Sequence, residues 1–162
     1  MTESFCFRVA GDDLMFSAGH FITYGGDICE RLHGHGYRVS AEVHGPLDED
    51  QCVFDFYVVR DALKKILADL DHRVLLPTKH PSVTVAERPG EVEVVHGDRR
   101  WVFPADDCLL LPIGNTTTEL LAEYVGRRLR DALKSCGGTL PGLIRIEIGE
   151  GAGCSAVCEL AE

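Results

Sequence analysis

The sequence predicts an α+β fold, and three observations predict it. Apolar residues alternate along 14–21 and 33–44 near the start of the chain and along 143–150 near its end. Between them, over 55–73 and 115–138, they recur instead at helical spacing. No internal repeat or linker interrupts this order, which reads strand, strand, helix, insertion, helix, strand, strand. Strands at both ends with two helices between imply an antiparallel sheet with the helices on one face. A length of 162 residues suits one domain, 1–162, with a core of its own.

Each element has its own warrant. Phe5–Val9 is a short β-like run, and Gly11-Asp12-Asp13 is a turn. In the strand that follows, Leu14, Phe16, Ala18 and His20 share one face, because alternate residues of a strand do. Tyr24-Gly25-Gly26-Asp27 reads as a loop. In the strand over 33–44, His33, His35, Tyr37, Val39, Ala41 and Val43 line one face. Asp55 is a suitable N-cap for a helix whose apolar row is Phe56, Val59, Leu63, Ile66, Leu67 and Leu70. Residues 91–95 and 100–103 form a hairpin, and prolines 77, 81, 89 and 104 suit a surface excursion. Residues 77–114 therefore read as an inserted hairpin flap. Thr116 and Glu119 fit a capping box for the second helix, whose Leu121, Val125, Leu129 and Leu133 form its row and which stops at Gly137-Gly138. Ile144, Ile146, Ile148 and Glu150 share a strand face, and 155–160 can pair as a last strand.

Composition excludes several functions. With 45% hydrophobic and 26% charged residues the chain is neither disordered nor membrane-spanning, since no apolar run nears the roughly 18 residues a span needs. A net charge of −10 argues against a nucleic-acid surface. The first residues lack the basic-then-apolar layout of a signal peptide, so a cytoplasmic location is expected. Seven cysteines without a C-x-x-C pair read as reduced thiols.

The candidate chemistry centres on Cys29-x-x-x-His33-Gly34-His35 with His20 upstream. Three imidazoles that each close or continue an inward apolar row can share a metal ion, and three histidines are a standard set for catalytic zinc. A thiol near a metal can act as base or nucleophile, although spacing alone leaves Cys29 open between that role and an inert buried one. Asp71 and His72 adjoin at a helix end, where adjacent residues do not face each other and where histidine is favoured by the helix dipole. Glu150, at the end of its isoleucine row, is either a strand-end acid facing water or a buried acid in need of a partner.

Taken together these pieces resemble the 6-pyruvoyl-tetrahydropterin synthase / 6-carboxytetrahydropterin synthase family. Its elements occur in order: Phe16-Ser17-Ala18-Gly19-His20, Cys29-x-x-x-His33-Gly34-His35, Val53-Phe54-Asp55-Phe56, Leu70-Asp71-His72, Thr117-x-Glu119 and Ile146-x-Ile148-x-Glu150. The resemblance implies a tunnelling fold, a four-stranded antiparallel sheet with two helices, assembled into an oligomeric barrel, commonly a homohexamer with active sites between subunits. It implies Zn2+ on His20, His33 and His35, with Cys29, His72 and Asp71 moving protons. Glu150 would anchor the pterin ring, and Thr117 would bind substrate. The direct Cys-x-x-x-His-Gly-His spacing is similar to bacterial 6-carboxytetrahydropterin synthases. These convert 7,8-dihydroneopterin triphosphate, releasing acetaldehyde and triphosphate, for 7-deazaguanine (queuosine) synthesis. A 6-pyruvoyl synthase, or an enzyme cleaving dihydroneopterin itself with Glu where Cys29 stands, is the family alternative. A zinc-containing pterin-binding protein without catalysis is the alternative of another class. The chain departs from the bacterial pattern at Gly19, at Thr116 and in the length of 77–114.

Overall fold

The computed structural model describes residues 4–26, 28–136, 141–151 and 153–161. In chain order the elements are β1 (Phe5–Val9), β2 (Met15–His20), β3 (Thr23–Tyr24), β4 (Ile28–Cys29), β5 (His33–Gly45) and helix α1 (Phe56–Leu70). There follow β6 (Arg73–Pro77), β7 (Thr84–Arg88), β8 (Glu91–His96), β9 (Arg99–Pro104), β10 (Cys108–Leu111), helix α2 (Thr118–Ser135), β11 (Leu143–Glu150) and β12 (Cys154–Ala161).

β5, at 13 residues, sets the frame. One edge carries β2 along its first half, Phe16 opposite Tyr37, and β1 along its last, Phe7 opposite Val43. The other edge carries β11, with Ile146 opposite Ala41, and β12 lies beyond. These are the antiparallel lanes that the alternation predicts. The sheet does not stop there, however: β6 runs parallel beside β2, and β10 parallel beside β6, giving seven strands of mixed direction. The physical reason lies in Val74-Leu75-Leu76 and Leu109-Leu110-Leu111. Unbroken apolar runs suit strands covered on both faces, and here Leu75 enters the main core while Leu76 enters a second cluster.

The expected hairpin flap is also larger than a hairpin. β8 and β9 pair as predicted around Gly97-Asp98, with Gly97 at φ 56°, a glycine at the first turn position as a type II′ turn requires. β7 adds a third strand through the Pro89-Gly90 turn, where Gly90 takes φ 79°. The three-stranded sheet is no surface excursion: Val92 and Val94 pack with Phe21, Leu76, Val83 and Cys108 in the second cluster.

Both helices cover one face of the main sheet. Asp55 caps α1 as expected, its carboxylate accepting from the N–H groups of Tyr57 and Val58. Phe56 departs from the expected apolar row, being 52% exposed, because it stands in the first turn beyond the core and meets Phe7 and Tyr57 instead. The predicted capping box is displaced by one residue: Thr117, not Thr116, caps α2, so the third helical position is Leu120 and not Glu119. Leu121, Val125, Leu129 and Leu133 are fully buried against the isoleucine row of β11. The helix stop at Gly137-Gly138 lies outside the described residues, as does Asp27 of the predicted loop. Among the described residues no helix is long and apolar enough to cross a membrane.

Candidate metal centre

Three apolar rows end at one corner of the sheet. The row Leu14, Phe16, Ala18 closes on His20, the row Val39, Tyr37 continues into His35 and His33, and the row Ile144, Ile146, Ile148 closes on Glu150. Strand register does the rest: His20 pairs directly with His33, and Glu150 pairs with Tyr37, next to His35 in the row. The ring centroids of the three histidines stand 4.7–5.3 Å apart. One ligand atom from each of His20, His33, His35 and Glu150 falls within 4.8 Å of the others, so the group could hold a metal ion.

The ring nitrogens are already sorted. His20 Nδ1 donates to the Thr116 carbonyl at 2.9 Å, and His33 Nδ1 donates to the Arg31 carbonyl at 2.7 Å. Each leaves an Nε2 lone pair for the centre, the arrangement that orients metal-binding imidazoles. Burial pushes His20 below the ordinary imidazole pKa, opposed by the Thr116 carbonyl and Glu150. The ring is thus held in the neutral form that a metal needs. Glu150 Oε1 lies 2.6 Å from His35 Nε2 and 3.5 Å from His20 Nε2, while its Oε2 accepts the Thr118 hydroxyl at 2.6 Å. Tyr37 sets its hydroxyl 3.2 Å from His20 Nε2. Three imidazoles and an adjoining carboxylate match the donor chemistry of zinc.

The centre opens into a cleft of about 560 Å³, lined also by Glu30, Thr117, Glu119 and Cys154. Among the described residues no lysine or arginine lines it.

The sequence pattern that describes the 6-pyruvoyl tetrahydropterin synthase family matches residues 12–161. The chain belongs to that family. A protein of Methanocaldococcus jannaschii, named provisionally as a 6-carboxy-5,6,7,8-tetrahydropterin synthase, is 34% identical over 144 residues, 88% of each chain. The 6-carboxy-5,6,7,8-tetrahydropterin synthase of Aquifex aeolicus is 28% identical over 109 residues, 64% of this chain and 60% of the other. Among solved structures, the 6-pyruvoyl tetrahydropterin synthase of Plasmodium falciparum superposes with a TM-score of 0.89 at 29% identity. That match covers 99% of this chain and 100% of the other.

Within this family member the remaining predicted residues fall in three places. Cys29 does not line the cleft. It sits half-buried on β4 against the second cluster, and burial raises its thiol pKa. Successive residues of an extended chain point to opposite sides, so it is Glu30 that reaches the cleft, its Oε2 3.8 Å from His33 Nε2. Asp71 and His72 do meet, contrary to the helix-based expectation. The chain has left the helix there, His72 takes φ 57°, and Asp71 Oδ2 lies 2.8 Å from His72 Nδ1. Asp71 is held below the usual carboxylate range chiefly by the Ser17 N–H, with His72 adding to it. His72 lines a second depression with Ser17, Gly19, Gly34 and Gly36 of β2 and β5, and His35 borders both it and the cleft. Thr117 lines the cleft, but its hydroxyl accepts the Leu120 N–H. Sequence reasoning missed Thr118 and Glu30. Adjacency to Thr117 and the capping register were the only signal for the first, and alternation from Cys29 was the signal for the second.

Proposed function

We propose that the chain is a zinc-dependent lyase that converts 7,8-dihydroneopterin triphosphate and one water to 6-carboxy-5,6,7,8-tetrahydropterin, releasing acetaldehyde and triphosphate. The observation that carries this reading is the convergence of His20, His33 and His35 with Glu150 at the mouth of a cleft. The name borne by the Methanocaldococcus jannaschii relative supports it. Held by the three histidines, zinc would supply Lewis acidity toward the hydroxyls of the pterin side chain. Glu150, steadied by Thr118, accepts the 2-amino and N3 hydrogens of the pterin, a paired and charge-assisted contact. Cys29, which does not line the cleft of a single copy, takes a proton from the side chain where assembly completes the site. Asp71 fixes the proton of His72 on Nδ1, so that Nε2 is the atom that exchanges protons with substrate.

This scheme draws on more than one copy of the chain, because His72 is not among the residues that line the cleft. A homohexameric barrel with its sites between subunits meets that need. The edges of β1 and β12, each with a single partner strand among the described residues, support it. Product analysis tests the reading: acetaldehyde and triphosphate from dihydroneopterin triphosphate, about one zinc per chain, and activity lost in Cys29→Ala with zinc retained. A zinc-loaded protein that releases neither product sinks it.

A second reading has an observation in its favour. Glu30, Glu119 and Glu150 line a cleft without lysine or arginine, a poor setting for a triphosphate. Glu30 acting as the base on unphosphorylated dihydroneopterin, in an aldolase-like cleavage, suits that setting. Glu30→Gln and Cys29→Ala, each assayed on both substrates, separate the two.

A further inference from the structure

The inserted sheet reaches the metal centre through contacts in series. Arg99 opens β9, and its Nη1 donates to the Cys29 carbonyl at 2.7 Å and to the Glu30 carbonyl at 2.8 Å. Its guanidinium lies 4.8 Å over the Trp101 ring, and Trp101 stacks on Phe21 with centroids 4.9 Å apart and planes 12° from parallel. Phe21 follows His20, and its carbonyl accepts the Thr116 hydroxyl. A second tie comes from His80, whose Nε2 lies 2.6 Å from Thr23 Oγ1.

These ties bear on a segment that has little of its own. The β3–β4 hairpin is joined by two residue pairs, Thr23 with Cys29 and Tyr24 with Ile28. A ladder that short does not hold itself in water. Cys29 and Glu30, the two candidate proton acceptors, are therefore placed by what grips their backbone: the Glu30 N–H donates to the Ile22 carbonyl at 3.0 Å, and both carbonyls are held by the Arg99 side chain. We propose that Arg99 is a positioning residue, through which the inserted sheet fixes the Cys29–Glu30 segment and sets where the carboxylate meets the cleft and where the thiol stands beside it. Its catalytic consequence rests on the pterin-lyase reading, whereas the clamp itself does not.

The same guanidinium acts on the thiol. Burial raises the Cys29 pKa, Arg99 lowers it and Glu30 raises it. Arg99→Gln removes the charge and keeps much of the packing; Arg99→Lys keeps the charge. The full-length, zinc-loaded protein is alkylated with iodoacetamide across pH, modification of Cys29 is followed by mass spectrometry, and zinc content, kcat and KM are recorded. In Arg99→Gln the Cys29 midpoint moves up by about half a pH unit or more, a lost neighbouring positive charge. Zinc content stays unchanged, and kcat falls about tenfold with KM within about twofold, the pattern of a displaced base. Arg99→Lys restores the midpoint and most of kcat. An Arg99→Gln profile that superimposes on the parent, or a lysine variant no better than glutamine, overturns the proposal. Where Arg99→Gln does not fold, Arg99→Met, which keeps a long side chain against Trp101 without the guanidinium, takes its place and is expected to shift the Cys29 midpoint up in the same way; an unchanged midpoint is equally fatal. Absence of turnover in the parent protein counts against the pterin reading, and the alkylation data still decide the clamp.

Discussion

Thr118 holds Glu150 Oε2 while Oε1 faces the histidines, so one carboxylate is divided between a helix and the candidate metal centre. In Thr118→Val that division is lost. The expected result is a KM for the dihydropterin raised about tenfold, the worth of one hydrogen bond to a charged group, with zinc content unchanged. Zinc loss would instead make Glu150 a ligand. His80 carries a pH dependence. Its Nδ1 accepts the N–H groups of Ser82 and Val83, and burial, then His96, depresses its pKa below 6.5. The unfolded chain therefore binds this proton at higher pH than the folded one. The contribution is complete above about 6.5 and is lost as pH falls from there toward the folded value. Urea midpoints measured from about pH 7.5 to about 5 are expected to fall less steeply in His80→Gln than in the parent; identical slopes refute this. At this scale the three histidines were legible because each ended an alternating row. Glu30 was not, because the thiol beside it drew the attention that alternation should have sent one residue on.

The elements that alternate or repeat cleanly, β2, β5, α1, α2 and β11, are where the sequence placed them, since each has one face that only the core can take. β6, β7 and β10 were not legible as strands. Their runs are short, and their direction depends on neighbours that no local pattern announces. Proline was the misleading signal. Pro77 and Pro104 end strands, and Pro89 starts a turn, so none of the three interrupts a ladder. The N-cap of α1 gives a direct test. Asp55→Ala removes the acceptor of two N–H groups and is expected to cost about 1 kcal/mol. In a domain of this size that lowers Tm by about 2–4 °C; a calorimetric Tm equal to that of the parent excludes the cap.

At the scale of the molecule, two clusters divide the apolar interior of the described residues, and the larger one joins both helices to the main sheet. Leu129→Ala, at a fully buried position of that cluster, is expected to cost about 2–5 kcal/mol in denaturant unfolding. Assembly has its own test. If each site draws Cys29 from one copy and His72 from the next, the inactive variants Cys29→Ala and His72→Ala will complement each other. Mixed in equal amounts and reassembled, they are expected to regain about a quarter of the parental activity, the share of sites that receive both intact residues in a symmetric ring. No recovery places both residues in one subunit's site. The fold's outline was legible at this scale from element order alone, whereas the second sheet and the mixed strand directions follow from long-range packing. His72 joins these scales. It stands at φ 57°, in the left-handed region, where the chain turns out of α1 and runs back beside β2 as β6. Glycine would take that conformation at about 1 kcal/mol less strain. If His72 exchanges protons as proposed, His72→Gly should therefore yield a protein that melts higher and does not turn over, a corner where durability is given up for chemistry.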